Sequence, residues 1–66
     1  MNTFLERLKA EKSELEEKLT KLTSFIANPE NKTVTGEDQW VLLKYQRMLM
    51  KGYSDTLAQR IRLIEK

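Results

Sequence analysis

The 66-residue chain contains no cysteine and no histidine. Without cysteine it has no disulfide framework and no thiolate metal site. Without histidine it lacks the commonest general base and metal ligand. Two glycines and one proline leave little to interrupt a helix. No stretch approaches the roughly 18 consecutive apolar residues of a membrane span, and the start, MNTFLERL, has neither the basic head nor the apolar run of a secretory signal. Ten carboxylates, mostly at positions expected on helix surfaces, are poor material for an active site. These absences predict a soluble cytoplasmic protein that is not an enzyme and needs no metal or cofactor.

What is present is helical. Leu5, Leu8, Lys12, Leu15, Leu19, Leu22 and Ile26 recur at alternating spacings of three and four, the seam of an amphipathic helix. Thr3 and Glu6 have capping-box spacing, and Asn28 before Pro29 should stop the helix. One helix is therefore expected over about 3–27, roughly 36 Å long. A polar, turn-rich loop follows over 28–35, and a second helix over about 36–65. Thr35 is the expected start signal of that helix, with Glu37 and Asp38 in the first turn to favour the dipole. The architecture this implies is all-α: a single domain over 1–66, an antiparallel two-helix hairpin. Gly52 is the one interior breaker of the second helix and is expected to mark a close helix contact. Asn31-Lys32-Thr33 has the glycosylation spacing, which without a secretory signal reads as coincidence.

The faces say more. Lys12 sits in the seam, where it reads as a register device whose stem covers apolar surface while the ammonium reaches toward Glu16. One flank of the seam is Phe4, Glu11, Lys18, Phe25; the other is the wholly polar Asn2, Lys9, Glu16, Thr23. The first flank reads either as core-capping aromatics with interhelical charges or as a ligand edge, with an aromatic to stack on a base and a lysine to meet a phosphate. Glu14 to Lys18 and Glu17 to Lys21 are helix-surface pairs. The second helix is apolar over too wide an arc for one partner. Leu43, Met50, Leu57, Ile61 and Ile64 form one stripe, while Val41, Leu42, Tyr45, Met48 and Leu49 spread toward another. A chain this short is marginal alone, so the extra arc predicts a compact homo-oligomer, with Met48 and Met50 filling irregular gaps. Trp40, at the helix start, can keep its indole N–H wet. Lys44, Arg47 and Lys51 form a basic stripe with no acid between Gln39 and Ser54, which symmetry would multiply into a positive cleft.

The string Phe4-x-x-Arg7-Leu8-x-x-Glu11-x-x-Glu14-Leu15-x-x-Lys18-Leu19-x-Lys21-Leu22-x-x-Phe25-Ile26 resembles the first helix of a family of very small phage proteins. Gln39 through Leu43, then Gln46, Met50, Tyr53, Leu57 and Arg60-Ile61, continue the likeness over nearly the whole chain. The family is that of the anti-CBASS and Thoeris anti-defence hairpins, the cyclic-nucleotide sponges. The resemblance implies a non-catalytic protein in the host cytoplasm during phage infection. It would bind cyclic oligonucleotide signals (cyclic dinucleotides such as cGAMP, and for some members cyclic trinucleotides) and withhold them from defence effectors. Other members bind signals derived from adenosine diphosphate ribose. It also implies a homo-hexamer with pockets shared between protomers.

Carried over by position, the stacking aromatic is Phe4, which keeps the ring of the more usual tyrosine but not its hydroxyl. The Lys-x-Thr pair is Lys18 and Thr20, with Lys21 and Thr23 at the same spacing. Arg60 matches an arginine of the trinucleotide site. Phe4, Arg7, Lys18, Thr20, Lys21 and Arg60 are the candidate ligand-binding residues. The alternative function is a coiled-coil adaptor hairpin with a protein partner. Binding to polymeric nucleic acid through Lys44, Arg47 and Lys51 is the weaker third reading.

Overall fold

The computed structural model describes residues 2–66. It has three helices: α1, Thr3–Ala27; α2, Asn31–Thr35; and α3, Glu37–Ile64. No strand occurs among the described residues. The two long helices lie antiparallel in a rod of 48 × 14 × 14 Å. Contacts between their ends fix the direction. Lys9 near the start of α1 meets Glu65 just past the end of α3, and Phe25 near the end of α1 meets Trp40 in the first turn of α3.

The caps differ from those the sequence suggested. Asn2, not Thr3, is the N-cap of α1, and its side chain accepts a hydrogen bond from the Leu5 amide at 3.1 Å. Thr3 is already helical, so the Thr3–Glu6 box does not form. Both residue types cap well, and asparagine is the more favoured of the two at this position. At the other end Asn28 is extended (φ −98°, ψ 105°), as a residue before proline must be. Its side chain accepts from the Glu30 amide at 3.1 Å, a local turn. Asn31 Nδ2 donates to the Phe25 carbonyl at 2.8 Å, satisfying one of the carbonyls the helix end leaves open.

The connection is not all loop. Asn31–Thr35 forms a five-residue helical turn, supported by the Thr33 hydroxyl donating to the Glu30 carbonyl at 2.7 Å. Thr35 ends this turn instead of starting α3. The reversal falls on Gly36 (φ 85°, ψ 159°), a conformation closed to residues with a Cβ.

Leu8 and Leu15 of α1 pack with Leu57 and Ile61 of α3, and Leu5, Met50 and Ile64 pack against them. Leu57 is completely buried. Ser54 is buried on the same face of α3 as Leu57 and Ile61. A second, smaller contact closes the far end. Trp40 is buried and tilted against Phe25, their ring centroids 6.3 Å apart. The indole is thus mainly a packing group, and no buried side-chain nitrogen or oxygen lacks a partner among the described residues. Lys12 is half-buried in the seam and pairs with Glu16 one turn on, the snorkelling arrangement that its position predicts.

Gly52 does not mark a contact within the chain. A Cβ placed there would meet nothing within 4 Å. Instead Gly52 shares the outward face of α3 with Val41, Tyr45 and Met48, at spacings of four, three and four. In the hairpin alone, Gly52→Ala should therefore stabilise by about 1 kcal/mol and raise Tm by several degrees in a thermal melt. A fall in Tm instead would mean that another chain packs against the bare backbone there.

Candidate functional site

The six candidate residues divide between one end of the rod, with Phe4, Arg7 and Arg60, and its middle, with Lys18, Thr20 and Lys21. Phe4, in the first turn of α1, is exposed over half its surface. The Arg60 guanidinium of α3 lies over its ring, 5.8 Å from the centroid, a cation–π contact. Arg7 is exposed one turn further along α1. This end therefore offers an aromatic face with cations beside it. Lys18 is fourteen residues from Phe4, about 21 Å along a straight helix, so one hairpin cannot bring both to the same small molecule. The Lys-x-Thr pairs also diverge, because residues two apart on a helix do not face each other. Thr20 lines a groove against α3, whereas Lys18 is exposed to one side of it. Lys21 is likewise exposed and pairs with Glu17 at 3.7 Å.

Several expected charge pairs are replaced by others. Among the described residues Glu14–Lys18 is not an ion pair, and neither Glu11 nor Lys18 pairs with a charge on α3. Among the described residues, Lys9–Glu65 at 2.9 Å ties the open ends of the two long helices, and Lys32–Glu37 at 3.9 Å ties α2 to α3. Lys9 belongs to the flank that looked wholly polar and inert, and that flank turns out to face the crevice between the helices. One groove there, of about 390 Å³, is lined by Lys9, Lys12, Ser13, Glu16, Ala58 and Ile61. A second, of about 340 Å³, is lined by Leu19, Thr20, Thr23, Ser24, Arg47 and Lys51. A third, of about 370 Å³, is bounded by Thr23, Ile26, Ala27, Lys44 and Arg47.

The second and third grooves meet at a hydrogen bond that the sequence reading missed. Arg47 Nε donates to Thr23 Oγ1 at 3.0 Å, across the two helices. Arg47 was visible only as one of a basic stripe, and Thr23 only as part of a polar flank and as the second Lys-x-Thr match. The signal that could have singled out Arg47 is its place in the α3 stripe, between Leu43 and Met50 at spacings of four and three, which turns it toward α1. Beside them, the Lys44 ammonium stands 5.7 Å from the Trp40 ring centroid. No group of three or more metal-ligating side chains gathers among the described residues, and none of their helices is long and apolar enough to cross a membrane.

Fold and grooves together define a small helical-hairpin protein whose open crevices are lined by cations and hydroxyls. The chain matches the family model described as Sequestin over residues 2–63 and belongs to the Sequestin family. No curated protein and no solved structure matches it.

Proposed function

We propose that this Sequestin-family chain is a non-catalytic sponge in the host cytoplasm during phage infection. It binds cyclic oligonucleotide immune signals, cyclic dinucleotides such as cGAMP above all and cyclic trinucleotides as a further class, and keeps them from their effectors. The observation that carries this reading is the exposed Phe4 ring under Arg60: a stacking face for a base with a cation in place for its phosphate. A stacked base contributes about 1–3 kcal/mol, whereas a micromolar site needs about 8 kcal/mol. One rod with only open grooves does not supply that difference. The pocket is therefore completed by a neighbouring copy, which brings Lys18 and Thr20 to the Phe4 of the first. Assembly runs through the apolar arc of α3, where Val41, Leu42, Tyr45, Met48 and Leu49 each remain more than half exposed. A hexamer is the expected state.

Titration calorimetry against a panel of cyclic di- and trinucleotides, with the cyclic adenosine-diphosphate-ribose signals included, tests the proposal. Heat with at least one of them, and recovery of that ligand intact, is the expected result. No heat with any at high micromolar concentration sinks it. Within a binding protein, Phe4→Ala and Lys18→Ala should each abolish dinucleotide binding while leaving the oligomer unchanged on a sizing column. If both bind like the unaltered protein, the pocket is misplaced. The exposed arc also suits the second reading, an adaptor hairpin with a protein partner. A simple dimer in solution, together with silence across the nucleotide panel, would favour that reading.

A further inference from the structure

The flank to which the resemblance assigns least carries the better-built cationic site. Arg47 is half-buried, held by its Nε–H to the Thr23 hydroxyl. Buried or half-buried arginines are ordinarily paired with acids. Here the anchor is neutral, and among the described residues neither Arg47 nor Lys44 takes part in an ion pair. The guanidinium is thus fixed in direction and uncompensated in charge. One of its five N–H donors is spent on Thr23, and the other four remain on the two terminal nitrogens.

The surroundings suit an anion. Thr20 and Ser24 bring two further hydroxyls into the groove on one side of the Arg47–Thr23 bond. Lys51 lines that same groove, and Lys44 lines the groove on the other side. Lys51 has a carboxylate nearby, Asp55 at 3.9 Å, but both side chains are largely exposed, and such a pair is readily exchanged for a better partner. Lys44 and Lys51 are seven residues apart, about 10 Å along the helix, with Arg47 between them.

We propose that this groove is a phosphate-holding site: the Arg47 fork takes the oxygens of one phosphoryl group, and Lys44 or Lys51 takes those of a second group close by. The ligand class is a small molecule carrying two neighbouring phosphoryl groups. That this molecule is a nucleotide rests on the sponge reading; the site itself does not.

Inorganic pyrophosphate is the probe, followed by nitrogen-15 NMR on the full chain. Saturable shifts of the Arg47 Nε–H signal and of the Thr20, Thr23 and Ser24 amides are expected, with orthophosphate at least about tenfold weaker. Arg47→Gln should lose about tenfold or more in pyrophosphate affinity. Arg62→Gln, the same change of charge near the end of α3, should lose almost none. Arg47→Lys keeps the charge without the fork and should fall between them, and it guards against a variant that simply loosens the hairpin. The site is overturned if pyrophosphate leaves the Arg47 and Thr23 signals unmoved, or if Arg47→Gln and Arg62→Gln weaken binding equally. Full affinity of Arg47→Gln for a cyclic nucleotide overturns this groove as the nucleotide's site while leaving the sponge reading intact. Pyrophosphate binding here without any response to cyclic nucleotides does the reverse.

Discussion

Replacing Leu57 with alanine is expected to cost about 2–5 kcal/mol of stability, the range for removing a buried leucine and leaving a cavity. Leu57 is the one wholly buried large side chain described, and it sits among Leu8, Leu15 and Ile61 in the larger cluster joining the two helices. No third layer can close over the gap. Small domains have about 5–15 kcal/mol in total, and a chain this short falls at the low end. Leu57→Ala should therefore lose a large share of the hairpin's stability, leaving about 0–3 kcal/mol. Urea titration followed by circular dichroism checks this. A midpoint within error of the unaltered protein would mean that the Leu57 cluster does not hold the fold. Where assembly supports the hairpin, the midpoint should also fall on dilution.

The second large effect separates assembly from folding. Leu49 is 54% exposed on the hairpin, so Leu49→Glu should change the stability of one chain by no more than about 0.5 kcal/mol, as surface substitutions do. In an oligomer packed through this arc, the same carboxylate would be buried without a partner, at a penalty of several kcal/mol. Sedimentation velocity should then show a chain that is still helical and no longer assembled. An unchanged sedimentation coefficient would place the interface elsewhere and leave the arc of α3 without a role.

How much of this was legible in the sequence depended on whether the signal was periodic. The leucine seam of α1 and the Leu57–Ile61 stripe of α3 were readable because helix geometry turns spacing directly into a face. The excess apolar arc was readable for the same reason, and Val41, Leu42, Tyr45, Met48 and Leu49 do lie outside the core. The two flanks of the seam were different. Period alone treats them as equivalent, so the choice between the Phe4–Lys18 side and the Lys9–Thr23 side needed the second helix in place. Aromatic content argued for the former, yet the concave surfaces lie along the latter. The short helix α2 was hidden because the turn begun by Asn28 and the bond from Asn31 to Phe25 depend on side-chain geometry. Gly52 shows a related limit: composition says that a glycine is present, while only a folded chain says that it faces away from α1.

The 14 Å thickness of the rod has an evolutionary consequence. A body one hairpin thick has almost no interior set apart from its surface, so most of its codons write positions that a ligand or another copy can touch. In a symmetric assembly each substitution appears in every copy at once and reshapes all equivalent walls together. A single base change can then move ligand preference further than it would in a larger protein. The routes open to it run through the exposed positions, because only a few buried side chains, Leu57 above all, hold the packing of the rod.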